Sequence, residues 1–153
     1  MLSIDELKGG RIRNSCVGLN PIISAMNTKE KGNIALGRAI AWFTGNGYIV
    51  SIPLNDSQSY DLVIERINTK TLGKVEVKYT SLKSECGVYK VDLRVNGGNK
   101  SRNTVKLFDV DSVDFIFVVT GDFEEYLIPT AILTGKERAT INLGLLYKKF
   151  LVN

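Results

Sequence analysis

Histidine is absent from all 153 residues. That absence removes Ser-His-Asp triads, Cys-His nucleophile pairs and histidine-ligated zinc in one step. Cysteine is scarce: Cys16 and Cys86 stand alone, without a CxxC pair, and read as reduced thiols of an intracellular protein. No apolar run reaches the length of a membrane span. The longest, Phe115 to Val119, is interrupted upstream by Asp114, so no membrane partner is expected. The opening residues Ser3, Asp5 and Glu6 are polar rather than basic-then-apolar, so no secretory signal is expected. Carboxylates, lysines, hydroxyls and metals favouring oxygen ligands are left to carry any chemistry.

The chain has the length of one domain with a proper core. Its hydrophobic content of 44% and charged content of 24% are those of an ordinary globular protein. The net charge of +4 conceals a sharper division. From Lys70 to Lys106 nine Lys/Arg face three acids, a local +6, whereas Leu107 to Glu125 holds six acids and no base. Such asymmetry points to a basic face for a polyanion. The plainer alternative is a solvated surface whose charges cluster by chance.

Residues 1–27 form a leader containing Arg11 and Arg13, either a basic arm that lies on a polyanion or a poorly ordered terminus. A helix is predicted from Thr28, with Asn27 as cap and Glu30 returning the bond. Ile34, Leu36, Ile40 and Phe43 supply its apolar stripe, with Ala35, Ala39 and Trp42 beside it. Gly45 and Asn46-Gly47 end it. Strands are predicted over 48–54, 60–67, 74–80 and 87–95, then 115–120 and its hairpin partner 125–128. Residues 96–103 read as a flexible basic loop. The tail reads as a short helix near 129–133, a strand over 140–143 and a closing segment 147–150. Helix, then strands, then mixed elements imply an α/β (α+β) domain over 28–153 with a central mixed sheet.

One constellation stands out on this frame. Side chains two apart on a strand share a face, so Glu76 and Lys78 project together while Val77 turns into the core. If 60–67 pairs beside 74–80, Asp61 joins them. Two carboxylates and an ammonium on one patch of sheet can hold a divalent metal against a phosphate and activate a water. A Glu/Lys pair at this spacing is also common on any solvent-facing strand. Leu62, Ile64, Val75 and Val77, which make both strands look half buried, favour the site. The turn Asp56-Ser57-Gln58-Ser59-Tyr60 adds groups compatible with metal or phosphate.

Pro53 and Asp61 followed by Glu76-Val77-Lys78 resemble the PD-(D/E)XK nuclease signature. Lys31-Gly32, Ala39 to Thr44, Gly47-Tyr48, Ser51 to Leu54, Asp56 to Asp61 and Val75 to Lys78 are similar to the PD-(D/E)XK endonucleases associated with group I introns. The likeness continues through 115–120, 126–129 and 141–143, so it covers about residues 29 to 153. It implies a restriction-endonuclease-like fold, a central mixed β-sheet flanked by helices, and a Mg²⁺-dependent DNA cutter in which Mn²⁺ can substitute. By that resemblance Asp61, Glu76 and the Val77 carbonyl ligate metal. Lys78 orients the attacking water and stabilises charge, and Gln58 positions water or phosphate. The partner implied is double-stranded DNA, cut by a homo-oligomer (dimer or tetramer) in the cytoplasm, at the nucleoid, or in an organelle. Two departures stand out. Leu36 occupies the place where many nucleases of this fold carry a helix glutamate, and Asp61 follows Tyr60 rather than proline.

The expected phosphate contacts are Lys31, Lys83, Lys90, Arg94, Lys100, Arg102 and Lys106, largely non-specific as most such contacts are. Two other functions fit the same residues. One is a structure-specific relative such as a Holliday junction resolvase; the other is a DNA-binding module that does not cut.

Overall fold

Helix α1 (Thr28–Gly45) starts where the sequence places its cap. Asn27 Oδ1 accepts from the Glu30 amide at 3.0 Å, and Glu30 Oε2 accepts from the Asn27 amide at 2.8 Å. The reciprocal pair satisfies two amides that the first turn would leave open. Glu30 is thereby committed to the cap. The chain leaves α1 through Asn46 and Gly47, whose φ of +78° is a conformation glycine adopts without strain. The computed structural model describes residues 23 to 152, apart from 24, 56, 57, 97 to 104, 134 and 136. Most of the leader with Cys16, Asp56 and Ser57 of the polar turn, Lys100 and Arg102, and the side chain of Lys106 lie outside the described residues.

The strands in chain order are β1 (Tyr48–Ser51), β2 (Leu62–Arg66), β3 (Leu72–Thr80), β4 (Lys90–Asp92), β5 (Val95–Asn96), β6 (Val105–Lys106), β7 (Phe108–Asp109), β8 (Phe115–Thr120), β9 (Glu125–Pro129), β10 (Glu137–Arg138) and β11 (Thr140–Asn142). Five of them make the central sheet in the order β1-β2-β3-β8-β9. Every neighbouring pair is antiparallel except β3 and β8, which run parallel with Glu76 opposite Ile116. Parallel neighbours need a long crossover. Here the crossover carries β4 to β7, and β4 is brought against the end of β3.

Each face of the sheet has its own core. Ala35, Ala39 and Phe43 of α1 pack on Leu62, Val75, Val77 and Phe117. The sequence puts Ile34, Leu36 and Ile40 on the buried stripe, but these are only partly covered and the alanines are fully buried. Two small side chains four apart let the helix backbone approach the strands, and Phe43 fills the space at its C-terminal end. The opposite core contains Val91, Leu93, Phe108, Ile116, Val118 and Ile128. Among the described residues it is covered by the β4–β11 and β7–β10 pairs and by short 3₁₀ turns at Val110–Ser112, Thr130–Ile132 and Leu145–Phe150. Among the described residues, helix α1 flanks one face of the sheet and a small β layer flanks the other, where helices were expected.

Several strands are shorter than the sequence suggests; β2, for one, covers Leu62–Arg66 rather than 60–67. β1 stops at Ser51, opposite Val63, before Pro53, which has no amide to donate. The segment 87–95 alternates as expected, with Tyr89, Val91 and Leu93 buried. It nevertheless divides after Asp92, whose carboxylate accepts the Arg94 amide at 3.0 Å and competes with the ladder. No described helix is long and apolar enough to cross a membrane.

Candidate active site

β2 ends against β3 in an unusual way, and the site follows from it. The Asp61 amide donates to the Val75 carbonyl at 2.9 Å, the last backbone bond of that ladder. The next acceptor that Val77 would meet is a side chain: Asp61 Oδ2 takes the Val77 amide at 2.7 Å. Beyond that point β2 no longer covers the edge of β3. A strand residue turns its amide and carbonyl toward the same neighbour, so the Val77 carbonyl opens on the same gap as the Asp61 carboxylate.

The period-two reading of β3 holds. Val75 and Val77 face α1 and are buried. Glu76 and Lys78 lie on the other face, with Lys78 Nζ 2.6 Å from Glu76 Oε1. Glu76 is 9% exposed, and its carboxyl is pushed above the ordinary carboxylate value. Burial is the main cause; Lys78 opposes it, while the charge and hydrogen bonding of Asp61 push the same way. Two carboxylates are thus held together with one nearby ammonium among the described residues, that of Lys78, an arrangement that a cation relieves.

That shift has a measurable consequence. Below about pH 4.3, the unfolded glutamate value, Glu76 is protonated in both states and its burial costs least. As pH rises toward the folded value, the unfolded chain releases this proton first, so stability falls. In metal-free protein, wild type is expected to lose stability relative to Glu76→Gln as pH rises above the unfolded glutamate value, about pH 4.3. Urea midpoints in EDTA measure it; a constant difference would show that Glu76 is not perturbed.

Two clefts include residues of this patch. One, of about 230 Å³, is lined by Asp61, Gln58, Tyr60, Pro53 and Leu36. Leu36 thus lines the same cleft as Asp61, where it supplies no ligand. The other, of about 460 Å³, is lined by Val77 and Lys78 together with Lys31 of α1 and Lys90, Asp92 and Arg94 of the β layer. The structure therefore gathers Lys31, Lys90 and Arg94 from the sequence-predicted contacts around Lys78. Lys83 is placed elsewhere: it pairs with Asp122 at 3.0 Å and sits 4.5 Å over the Tyr89 ring. Thr80 Oγ1, bonded to the Lys90 carbonyl at 2.6 Å, ties the β layer to the end of β3. Alternation along 87–95 puts Asp92 on the same face as Lys90 and Arg94; its place in this cleft, beside Lys31 and Lys78, comes from the tertiary structure.

The family model for PD-(D/E)XK endonucleases matches residues 26–149. The chain belongs to this family. As a PD-(D/E)XK endonuclease it is also similar to a solved structure, the bacterial homing endonuclease I-Ssp6803I, at 30% sequence identity with a TM-score of 0.63. That match covers 77% of this chain and 78% of the other. No curated protein matches it. Within this PD-(D/E)XK endonuclease no group of three or more His, Cys, Asp or Glu side chains converges among the described residues. Asp61, Glu76 and a backbone carbonyl are what the gap offers a metal. All are oxygen donors, the set that a hard divalent cation prefers, and the crowding of the two carboxylates makes the fit favourable.

Proposed function

We propose that this PD-(D/E)XK endonuclease cuts double-stranded DNA at specific sequences, in the manner of intron homing, by metal-assisted hydrolysis of the phosphodiester. The observation that carries the reading is the convergence of Asp61, Glu76 and Lys78 on the uncovered edge of β3, in a chain similar to a homing endonuclease. Asp61, Glu76 and the Val77 carbonyl would hold Mg²⁺, with Mn²⁺ able to replace it. Such an ion supplies Lewis-acid polarisation of the phosphoryl oxygens and a more acidic water. Lys78 keeps its ammonium beside Glu76, where it orients the attacking water and balances charge that develops on the phosphate. Gln58, on the rim of the first cleft, positions water or phosphate. Lys31, Lys90 and Arg94 contact the DNA backbone from the second, and Lys100, Arg102 and Lys106 serve as further backbone contacts.

Exposed apolar side chains support a homo-oligomer, in keeping with cutting at two strands. Ile49 on the open edge strand β1, Ile52 and Leu54 just beyond it, and the Leu145-Leu146 pair all face solvent. The reduced thiol Cys86 fits a cytoplasmic, nucleoid-associated protein.

The test is cleavage of supercoiled plasmid, a synthetic four-way junction and a candidate intron-insertion sequence, each with Mg²⁺ or EDTA. Metal-dependent double-strand cutting of the insertion sequence is expected. Cutting confined to the junction would replace the homing reading with a resolvase, and binding without cutting would replace the enzyme with a binding module.

A further inference from the structure

The second cleft contains one carboxylate among four cations, and its position is specific. Lys78 is matched by Glu76, whereas Lys31 and Lys90 pair with no carboxylate among the described residues. Arg94 is occupied by Asp92. Its Nε lies 2.9 Å from Asp92 Oδ1, its Nη2 2.5 Å from Oδ2, and its backbone amide 3.0 Å from Oδ1. The side chain thus grips the carboxylate with the two-pronged fork that guanidinium groups use for phosphate. Both side chains are about half exposed, 50% for Asp92 and 47% for Arg94, so the pair is held weakly against solvent and competing anions. The same pairing holds the Asp92 carboxyl below the ordinary carboxylate value, so the competitor is ionised at neutral pH.

We infer that Asp92 occupies the Arg94 fork in the free protein and is displaced by a backbone phosphate of DNA entering the cleft. The inference rests on the reading of DNA as substrate. Asp92 then acts as a stand-in anion that lowers affinity for DNA of any sequence. Lys31 and Lys90, already unpaired, make the first contacts, and Arg94 is released only when a phosphate is seated well enough to replace a bidentate carboxylate. A poorly seated duplex gains less from this cleft, which sharpens discrimination between registers.

Asp92 also has a local role, since its Oδ1 closes the turn that ends β4. Asp92→Asn separates the two roles, because the amide oxygen still accepts the Arg94 N–H while the charge is gone. The measurement is fluorescence anisotropy with a labelled random-sequence duplex in EDTA, which requires no cutting. Asp92→Asn is expected to tighten binding by up to about fivefold, the full worth of an exposed ion pair. In an Arg94→Ala background the same change is expected to have less than about a third of that effect, leaving only the long-range charge. Arg94→Lys, which keeps the charge but not the fork, is expected to behave like Arg94→Ala in this cycle.

Equal tightening in all backgrounds would overturn the inference by making Asp92 an ordinary surface charge. Weaker or unchanged binding by Asp92→Asn, with an unaltered thermal midpoint, would do the same. Absence of duplex binding in every variant would overturn it together with the DNA reading, so the two failures are distinct.

Discussion

Asp61→Asn is expected to lose more than about a hundredfold in DNA cleavage while keeping the fold, because even residues that only support metal ligands cost 10–100-fold when changed. The physical reason lies in the two tasks of this carboxylate. One oxygen caps the Val77 amide at 2.7 Å and so ends the β2–β3 ladder. Its charge, set beside that of Glu76, makes the gap attractive to a cation. Asparagine keeps an oxygen for the amide and gives up the charge. The expected pattern is therefore a collapse of plasmid nicking in Mg²⁺ with a thermal midpoint close to wild type. Asp61→Ala adds the loss of the cap, at about 1 kcal/mol for one hydrogen bond. Cleavage by Asp61→Asn at the wild-type rate would remove Asp61 from the active site and leave it a turn residue.

Phe43→Ala is expected to have the largest effect on stability, about 3–5 kcal/mol. A domain of this size has only about 5–15 kcal/mol in total. The ring is fully buried. Its centroid lies 5.0 Å from that of Trp42, 5.4 Å from Tyr48 and 5.7 Å from Phe117. It thus joins α1 to β1 and β8 at once, and the small alanines at 35 and 39 cannot shift to fill the space it would leave. Urea denaturation measures the change through the transition midpoint. A loss below about 1 kcal/mol would mean that the helix end repacks, contrary to the tight approach that the buried alanines create. Phe43 lies on the α1 face of the sheet, opposite Glu76 and Lys78, so residual folded protein should still cut.

The grouping of Glu76 with Lys78 in the candidate site was legible in the sequence because it depends on local rules. Alternation along a strand puts Glu76 beside Lys78 whatever the rest of the chain does, and the capping of α1 by Asn27 and Glu30 is decided within four residues. The same alternation puts Tyr89, Val91 and Leu93 on one face of their strand, and that face is buried. Errors arose where distant partners decide. Leu36 and Ile40 are large and apolar, yet Ala35 and Ala39 take the buried face because close approach to β3 rewards small side chains. Segment 87–95 reads as one strand, but Asp92 closes on Arg94 and divides it. Lys83 carries the same charge as Lys90, yet Asp122, far along the chain, draws it out of the cleft.

By itself, the sequence determined the class of chemistry available: no imidazole, two carboxylates and a lysine in a strand pattern, and a basic stretch to meet a polyanion. The tertiary structure alone decided that Asp61 stands across from Glu76, that its oxygen replaces a backbone acceptor, and that Lys31, Lys90 and Arg94 surround Lys78. Periodicity and capping need only near neighbours. Strand register and the crossover between β3 and β8 are selected by burying two cores at once, one on each face of the sheet, and that choice involves the whole chain.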